Sequence, residues 1–209
     1  VVLGDSITDG TASTPDTNNR WPDHLARRLL AAGSQARMAV LNAGIAGNRV
    51  LSDGPGVSAQ ARLDRDVLVQ PGATHVIFME GINDIGRDAT ADDLIAAHKQ
   101  IIERVHAKGL RIIGATLTPM EDTTFTNYYT PAHEATRQAV NQWIRTGKAY
   151  DAVIDFDAVL RDPSRPTRLL PQYAAMDNLH PNDAGYELMA KSVDLALLRA
   201  RQAALAAAR

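Results

Sequence analysis

The sequence predicts an α/β protein built on a parallel sheet, and three observations support this fold class. Short apolar runs alternate with helical patterns along the 209 residues. The strand-like runs are apolar throughout, which is typical of parallel strands covered on both faces. Glycine, serine or asparagine follows the ends of several runs, where an open sheet of this class forms its ligand-binding crevice.

The elements can be placed in order from their periodicity. Strands are predicted at 1–3, 38–42, 75–80, 111–116 and 152–156. Helices, with apolar residues three or four apart, are predicted at 21–32, 59–68, 91–108, 131–146 and 183–198. The Ala-rich tail at 199–209 either continues the last helix or frays. Because no repeat, low-complexity linker or composition break divides the chain, we expect a single domain over residues 1–209.

Composition excludes several classes of function. The formal net charge is −2 at pH 7, so electrostatics give no reason to expect nucleic acid or an anionic membrane as partner. The chain contains no cysteine, which excludes disulfides, thiolate catalysis and thiolate metal sites. The oligomeric state cannot be read from these features.

Targeting features leave the compartment open. No apolar run approaches the roughly 20 residues of a membrane span, and no signal peptide is present. The chain nevertheless begins inside its predicted first strand, three residues before Gly4. We therefore expect that it was cut from a longer precursor, and secretion is expected if a signal peptide has been removed.

The N-terminal stretch carries the first candidate for chemistry. The apolar run 1–3 leads into Gly4-Asp5-Ser6, which places a serine at the carboxyl end of a strand, just before a predicted helix. The alternative is that Asp5, Ser6 or Thr8 only caps that helix. Near the other end, Asp177 stands three residues before His180, a spacing that lets a carboxylate bond and orient the imidazole.

Two glycine- and asparagine-rich loops complete the pattern. Residues 42–48 read Asn-Ala-Gly-Ile-Ala-Gly-Asn, and residues 81–84 read Gly-Ile-Asn-Asp. Each follows a predicted strand end, on the same edge of the sheet as Ser6. Taken in order, the four blocks resemble the SGNH (GDSL-type) hydrolase family of esterases and lipases. The resemblance spans the chain from Gly4 to Pro181.

The resemblance implies a fold and a role for each block. The implied fold is a three-layer α/β/α, flavodoxin-like domain with parallel strand order 2-1-3-4-5. Carried over by position, Ser6 is the nucleophile, His180 the general base and Asp177 its orienting partner. The implied oxyanion donors are the backbone N–H groups of Ser6 and Gly47 and the side-chain amide of Asn83. No metal and no organic cofactor is implied.

The residue chemistry agrees with these roles but leaves alternatives open. A neutral imidazole can take the proton of a serine hydroxyl, and fixed N–H donors stabilise the oxyanion that attack on an ester creates. Gly47 permits close approach of backbone to substrate, although a turn glycine reads the same way. Asn83 is equally consistent with an Asx-turn or a helix cap.

Further residues near the blocks are candidates for substrate binding. Asp5 and Asn48 are candidates for contacting substrate, and together with Asp84 they are candidates for supporting the groups that do. Arg49 either contacts substrate or is solvated or ion-paired. Tyr128 and Tyr129 lie on the loop 117–130, where they either stack on an acyl or sugar group or pack against the loop.

Other polar features are interpreted as surface. The alternating Asp and Arg residues at 62–66 indicate a solvated helix face. His98 and His106 lie on the predicted helix 91–108 without convergent ligands, so both are expected to be exposed.

These observations together predict a serine esterase that forms an acyl-enzyme. A small-molecule or polysaccharide ester is the expected substrate, with an acetyl-type ester of a carbohydrate preferred. The alternatives are a lysophospholipase-like or arylesterase-like hydrolase, an acyltransferase, and a non-catalytic carbohydrate-binding domain on the same fold.

Overall fold

The computed structural model describes residues 1–33 and 38–199, and its centre is a sheet of five parallel strands. The strands are β1 (Val2–Gly4), β2 (Asn42–Gly44), β3 (His75–Met79), β4 (Arg111–Ala115) and β5 (Ala152–Ile154). Their spatial order is β2-β1-β3-β4-β5, so the predicted order is confirmed. This order places the end of β1, which carries Ser6, between the ends of β2 and β3.

Helices cover both faces of the sheet and produce the predicted three layers. The long ones are α2 (Trp21–Ala31), α5 (Ala91–Ala107), α6 (Pro131–Thr146) and α8 (Asp183–Ser192). The short ones are α1 (Ser6–Asp9), α3 (Ala59–Leu63), α4 (Ile82–Ile85), α7 (Phe156–Leu160) and α9 (Ala196–Arg199). A small antiparallel hairpin, β6 (Arg161–Asp162) with β7 (Arg165–Leu169), lies apart from the main sheet.

Strand residues divide alternately between two apolar cores, one on each face. In β3, Val76 and Phe78 belong to the core that contains α3, α5 and α6 residues, such as Ile101. Ile77 and Met79 belong to the other core, with Trp21, Leu25, Phe156 and Tyr186. Successive side chains of a strand point to opposite faces, which explains why these strands are apolar without interruption.

The second strand lies further along the chain than predicted. The run 38–42 was expected to form it, whereas the paired residues are Asn42–Gly44. Asn42 pairs with Val2, the first residue of β1. Residues 38–40 therefore lie beyond the amino end of β1 and do not pair with it. The strand is short because β1 is short.

Several other boundaries differ from the prediction. The helix 59–68 is α-helical only to Leu63 and continues as a π-helical turn, Asp64–Leu68. The last predicted helix breaks after Ser192, where Val193 is extended, and resumes as α9. β5 stops at Ile154 because Asp155 caps α7 through a hydrogen bond from the Ala158 N–H. The tail 200–209 lies outside the described residues.

His98 is buried, so the expectation of an exposed side chain was wrong. It follows Leu94 and Ala97 on the apolar face of α5, and it is 1% exposed. The Tyr150 hydroxyl lies 2.7 Å from Nδ1, and the Glu80 carbonyl lies 3.2 Å from Nε2. Burial lowers the pKa of His98 to about 4, so the imidazole is neutral in the core. His106 is exposed as expected, with Nε2 3.0 Å from an Asp151 oxygen.

Candidate active site

Ser6 stands at the junction between β1 and α1. Asp5 caps the helix, and its carboxylate accepts a hydrogen bond of 3.0 Å from the Ile7 N–H. Ser6 is therefore the first helical residue, a position whose N–H has no acceptor inside the helix. The predicted strand–serine–helix arrangement is present, and the capping role falls to Asp5.

The loop before α8 brings an imidazole to this serine. His180 Nε2 lies 2.9 Å from Ser6 Oγ, although the two residues are 174 positions apart. The other ring nitrogen, Nδ1, lies 2.7 Å from Asp177 Oδ2. A carboxylate oxygen only accepts hydrogen bonds, so Nδ1 donates to Asp177 and Nε2 can accept from the Ser6 hydroxyl. Serine, histidine and aspartate thus form one continuous chain of hydrogen bonds.

The local backbone holds Asp177 in its ionised form. Asn178 adopts a left-handed conformation with φ of 55°, which folds the loop back on itself. As a result, Asp177 Oδ1 accepts the N–H groups of Leu179 and His180, each at 3.0 Å. Burial opposes the charge, but these bonds and the His180 ring hold the pKa of Asp177 below its ordinary value.

Gly47, in the loop after β2, and Asn83, in the short helix α4 after β3, line the same cleft as Ser6. Gly47 has a φ of +73°, and a Cβ there would lie 3.0 Å from the Pro55 ring, so the position favours glycine. Asn83 Nδ2 donates one hydrogen bond of 2.9 Å to the Asn48 carbonyl. The amide carries two N–H groups, so the second is left for another acceptor.

Tyr128 fixes the other end of the same amide. Its hydroxyl donates a 2.9 Å hydrogen bond to Asn83 Oδ1. The ring packs against Gly86, where a Cβ would lie only 2.6 Å from Tyr128 Cε2. His133 holds the loop in place, with Nδ1 2.8 Å from the Tyr128 carbonyl oxygen. Sequence reasoning identified Tyr128 as a stacking candidate and missed this contact with Asn83.

The expectation that residues 62–66 form a solvated helix face was wrong for Arg62, because its side chain is fully buried. Its guanidinium donates to the carbonyls of Gly4 (2.9 Å) and Ala43 (2.6 Å) and to Asn48 Oδ1 (2.8 Å). One side chain thereby joins the ends of β1 and β2 to the loop that carries Gly47. The available signal was its place beside Ala59 and Leu63 on the apolar face of α3.

Three buried carboxyl groups lie beneath the same strand ends. Burial raises the pKa of Asp5 to about 7, against the hydrogen bond from Ile7. Burial, with the nearby Asp5, raises the pKa of Glu80 well above its ordinary value. Burial also raises the pKa of Asp84, although its oxygens accept the Val50 and Leu51 N–H groups at 2.9 Å. Burial therefore favours the neutral forms of these carboxyls beneath Ser6.

A cleft of about 450 Å³ opens over Ser6. Of the predicted site residues, it is lined by Ser6, Gly47, Asn83, Tyr128 and His180. The other lining residues, which were not among the predicted site residues, are Thr11, Ala46, Pro55, Gly86, Arg87, Phe125, Thr126 and Leu179. Most of them come from loops whose spacing carries no periodic signal.

Four predicted substrate contacts lie outside this lining. Asp5 and Asn48 are completely buried, so direct contact with substrate does not fit their placement, and both act as supports. Arg49 is partly exposed and donates to the Asp53 carbonyl. Tyr129 is partly buried and packs against the core that contains residues of α3, α5 and α6.

Across residues 1–33 and 38–199, no group of three or more His, Asp or Glu side chains is arranged to hold a metal ion. None of the helices in those ranges combines the length and apolarity needed to cross a membrane.

Solved structures with the same fold include several hydrolases. The lipase/acylhydrolase from Enterococcus faecalis is 23% identical over 96% of this chain and 94% of its own, with a TM-score of 0.71. A GDSL-like lipase from Bacteroides thetaiotaomicron is 18% identical over 95% and 87%, with a TM-score of 0.71. The aryl esterase of M. smegmatis is 15% identical over 96% and 97%, with a TM-score of 0.72. No curated protein matches the chain.

At these identities the structural likeness establishes the fold alone, and the sequence itself provides the family. The sequence model of the GDSL-like lipase/acylhydrolase family matches residues 2–188. That range contains all four blocks, from Gly4-Asp5-Ser6 to Asp177 and His180. The chain therefore belongs to the GDSL-like lipase/acylhydrolase family, whose members hydrolyse esters.

Proposed function

We propose that this protein is a serine esterase that removes short acyl groups, acetyl groups of carbohydrates in the first place, through an acyl-enzyme. The observation that carries the proposal is the chain of hydrogen bonds from Ser6 Oγ through His180 to Asp177, at 2.9 and 2.7 Å. A helix cap needs no such chain, and the cap of α1 is supplied by Asp5.

The proposed reaction begins with proton transfer. His180 Nε2 takes the hydroxyl proton as Ser6 Oγ attacks the ester carbonyl, and Asp177 stabilises the imidazolium that forms. The tetrahedral intermediate then expels the alcohol, which takes the proton from Nε2 and leaves the acyl group on Ser6. Water attacks this acyl-enzyme with the same base, releasing the acid and restoring the serine.

Negative charge on the former carbonyl oxygen needs donors that are already in place. The proposed donors are the N–H groups of Ser6 and Gly47 and the free N–H of Asn83. The amide of Asn83 is held at both ends, by the Asn48 carbonyl and the Tyr128 hydroxyl. Removing one such donor typically costs a hundred- to thousandfold in kcat, or about 3–4 kcal/mol.

The walls of the cleft support a short acyl group. Each methylene gains at most about 0.8 kcal/mol, and only where apolar surface receives it. The apolar side chains among the lining residues are few, namely Ala46, Pro55, Phe125, Tyr128 and Leu179. The half-exposed ring of Phe125 offers a flat face of the kind on which a sugar packs.

The test combines labelling with a substrate series. A fluorophosphonate is expected to label the wild type and the exposed-serine control Ser192→Ala, but not Ser6→Ala. Ser6→Ala is expected to retain less than a few per cent of kcat with unchanged folding. Labelling or turnover that survives in Ser6→Ala would remove Ser6 from the mechanism, and absence of labelling in the wild type would favour a binding domain.

The substrate is tested separately. kcat/KM is measured for p-nitrophenyl acetate, butyrate, octanoate and palmitate below micelle concentration, and for acetylated xylan. A maximum at acetate or butyrate with turnover of acetylated xylan is expected. A maximum at octanoate or longer would contradict the short-acyl proposal.

Phe125 also favours a second candidate, an aryl esterase. Its ring lies edge-on to His180, with 6.3 Å between the ring centroids, and 47% of the residue is exposed. An aromatic leaving group could stack there beside the base. Phenyl acetate would then exceed acetylated sugars in kcat/KM, and Phe125→Ala would lower that preference.

A further inference from the structure

Arg87 differs from the other arginines that the structure describes. It follows α4, its side chain is exposed, and it lines the cleft over Ser6. Every other arginine whose side chain is described donates a hydrogen bond or forms an ion pair. Within the same part of the chain, the guanidinium of Arg87 does neither. It is a cation beside the reaction site whose hydrogen-bond donors are uncommitted.

The nearest acidic residues in the sequence, Asp84 and Asp88, form their hydrogen bonds with groups other than Arg87. Both oxygens of Asp84 accept backbone N–H groups, from Val50 and Leu51. Asp88 Oδ1 lies 2.9 Å from His133 Nε2. Among the described residues that line the cleft, Arg87 is the sole permanent charge. The cleft therefore presents a positive group with no counter-charge of its own.

We propose that Arg87 binds an anionic group, a carboxylate or a phosphate, carried by the molecule whose ester is cleaved at Ser6. The proposal rests on the proposed function and narrows its substrate class to anionic esters. A guanidinium presents its N–H groups in a planar fork that matches two oxygens of a carboxylate or phosphate. Thr11 and Thr126 line the same cleft, and a threonine hydroxyl can donate to such a group.

Two pairs of aryl acetates test this inference, each differing only in charge. One pair is 4-acetoxybenzoate and its methyl ester, and the other is 4-acetoxyphenyl phosphate and its dimethyl ester. For each pair, the ratio of kcat/KM, anionic over neutral, is measured in the wild type and in Arg87→Gln. Comparing ratios between enzymes cancels the intrinsic reactivity of each ester.

In Arg87→Gln, the ratio of kcat/KM, anionic over neutral, is expected to fall about tenfold for at least one pair. A tenfold change corresponds to about 1.4 kcal/mol. Arg87→Lys is expected to retain part of it, since the charge remains but the fork is lost. Arg65→Gln, which removes the same charge from an exposed arginine outside the cleft lining, should leave the ratio unchanged. Added salt should lower the ratio in the wild type more than in Arg87→Gln.

The outcomes separate this inference from the proposed function. If the ratio falls only for the carboxylate pair, the substrate is assigned to esters that carry a carboxylate, such as those of an acidic sugar. If it falls only for the phosphate pair, the substrate is assigned to esters that carry a phosphate. An unchanged ratio in both pairs, with hydrolysis still dependent on Ser6, overturns the role of Arg87 alone. Hydrolysis of the neutral esters by Ser6→Ala would instead overturn the proposed function.

Discussion

Replacing Tyr128 with phenylalanine is expected to lower kcat about tenfold while KM changes little. The substitution keeps the ring that lines the cleft and packs against Gly86, and it removes only the hydroxyl. That hydroxyl donates the 2.9 Å hydrogen bond to Asn83 Oδ1. Without it, the amide of the proposed oxyanion donor is held at one end only, by the Asn48 carbonyl.

The magnitude follows from the hydrogen bond that is lost. A neutral hydrogen bond contributes about 0.5–1.5 kcal/mol net, and a partly buried oxygen left without a partner adds to the loss. If this loss falls on the transition state, 1.4 kcal/mol corresponds to about tenfold in rate. KM should change little because the amide is proposed to hold the oxyanion more tightly than the substrate carbonyl.

The assay is steady-state kinetics with p-nitrophenyl acetate, together with inhibition by a boronic acid that imitates the tetrahedral intermediate. Tyr129→Phe is the matched control, because Tyr129 is the next residue on the same loop and does not line the cleft. Gly86→Ala should act in the same direction as Tyr128→Phe, since the added Cβ must displace the Tyr128 ring. A raised KM with unchanged kcat, or an equal loss in Tyr129→Phe, would refute the reasoning.

Three further predictions concern Arg62, Asp177 and His98. Arg62→Met should lower the free energy of unfolding by about 3–5 kcal/mol in urea titrations, because it leaves the Gly4 and Ala43 carbonyls and Asn48 Oδ1 without their donor. A loss under about 1 kcal/mol would contradict this. Asp177→Asn should lower kcat at least about a thousandfold, since the carboxylate that selects the His180 tautomer is gone; near wild-type turnover would exclude that role. His98→Gln should flatten the pH dependence of the free energy of unfolding. The pKa of His98 is about 4 in the folded protein and 6.5 ordinarily, so the unfolded chain takes up the proton first as pH falls. The wild type therefore loses up to about 3 kcal/mol of stability between pH 6.5 and 4. Equal slopes for both proteins between pH 4 and 6.5 would show that His98 is not responsible.

The arrangement of strands and helices was predictable because both depend on short-range patterns. Uninterrupted apolar runs indicated strands covered on both faces, and the resemblance to the SGNH hydrolases supplied their order. Boundaries were less predictable where pairing or capping decides them. β2 lies at Asn42–Gly44 because of its register with β1, and β5 ends early because Asp155 caps α7. The hairpin of β6 and β7 has no strong alternation and was missed.

By itself the sequence determined which residues form the hydrogen-bonded chain at the site. Ser6, Asp177 and His180 were indicated by the resemblance of four sequence blocks to the SGNH hydrolases, and the structure joins the three side chains by hydrogen bonds. Only the tertiary structure decided which charged residues are buried beneath the site and which face the cleft. Arg62 and Arg87 both lie in charged or polar stretches of the sequence. Arg62 is buried beneath the ends of β1 and β2, whereas Arg87 is exposed and lines the cleft over Ser6. Burial and hydrogen-bond partners come from elements that are distant along the chain. The one local signal, the place of Arg62 beside Ala59 and Leu63, was therefore outweighed by the alternation of Asp and Arg at 62–66.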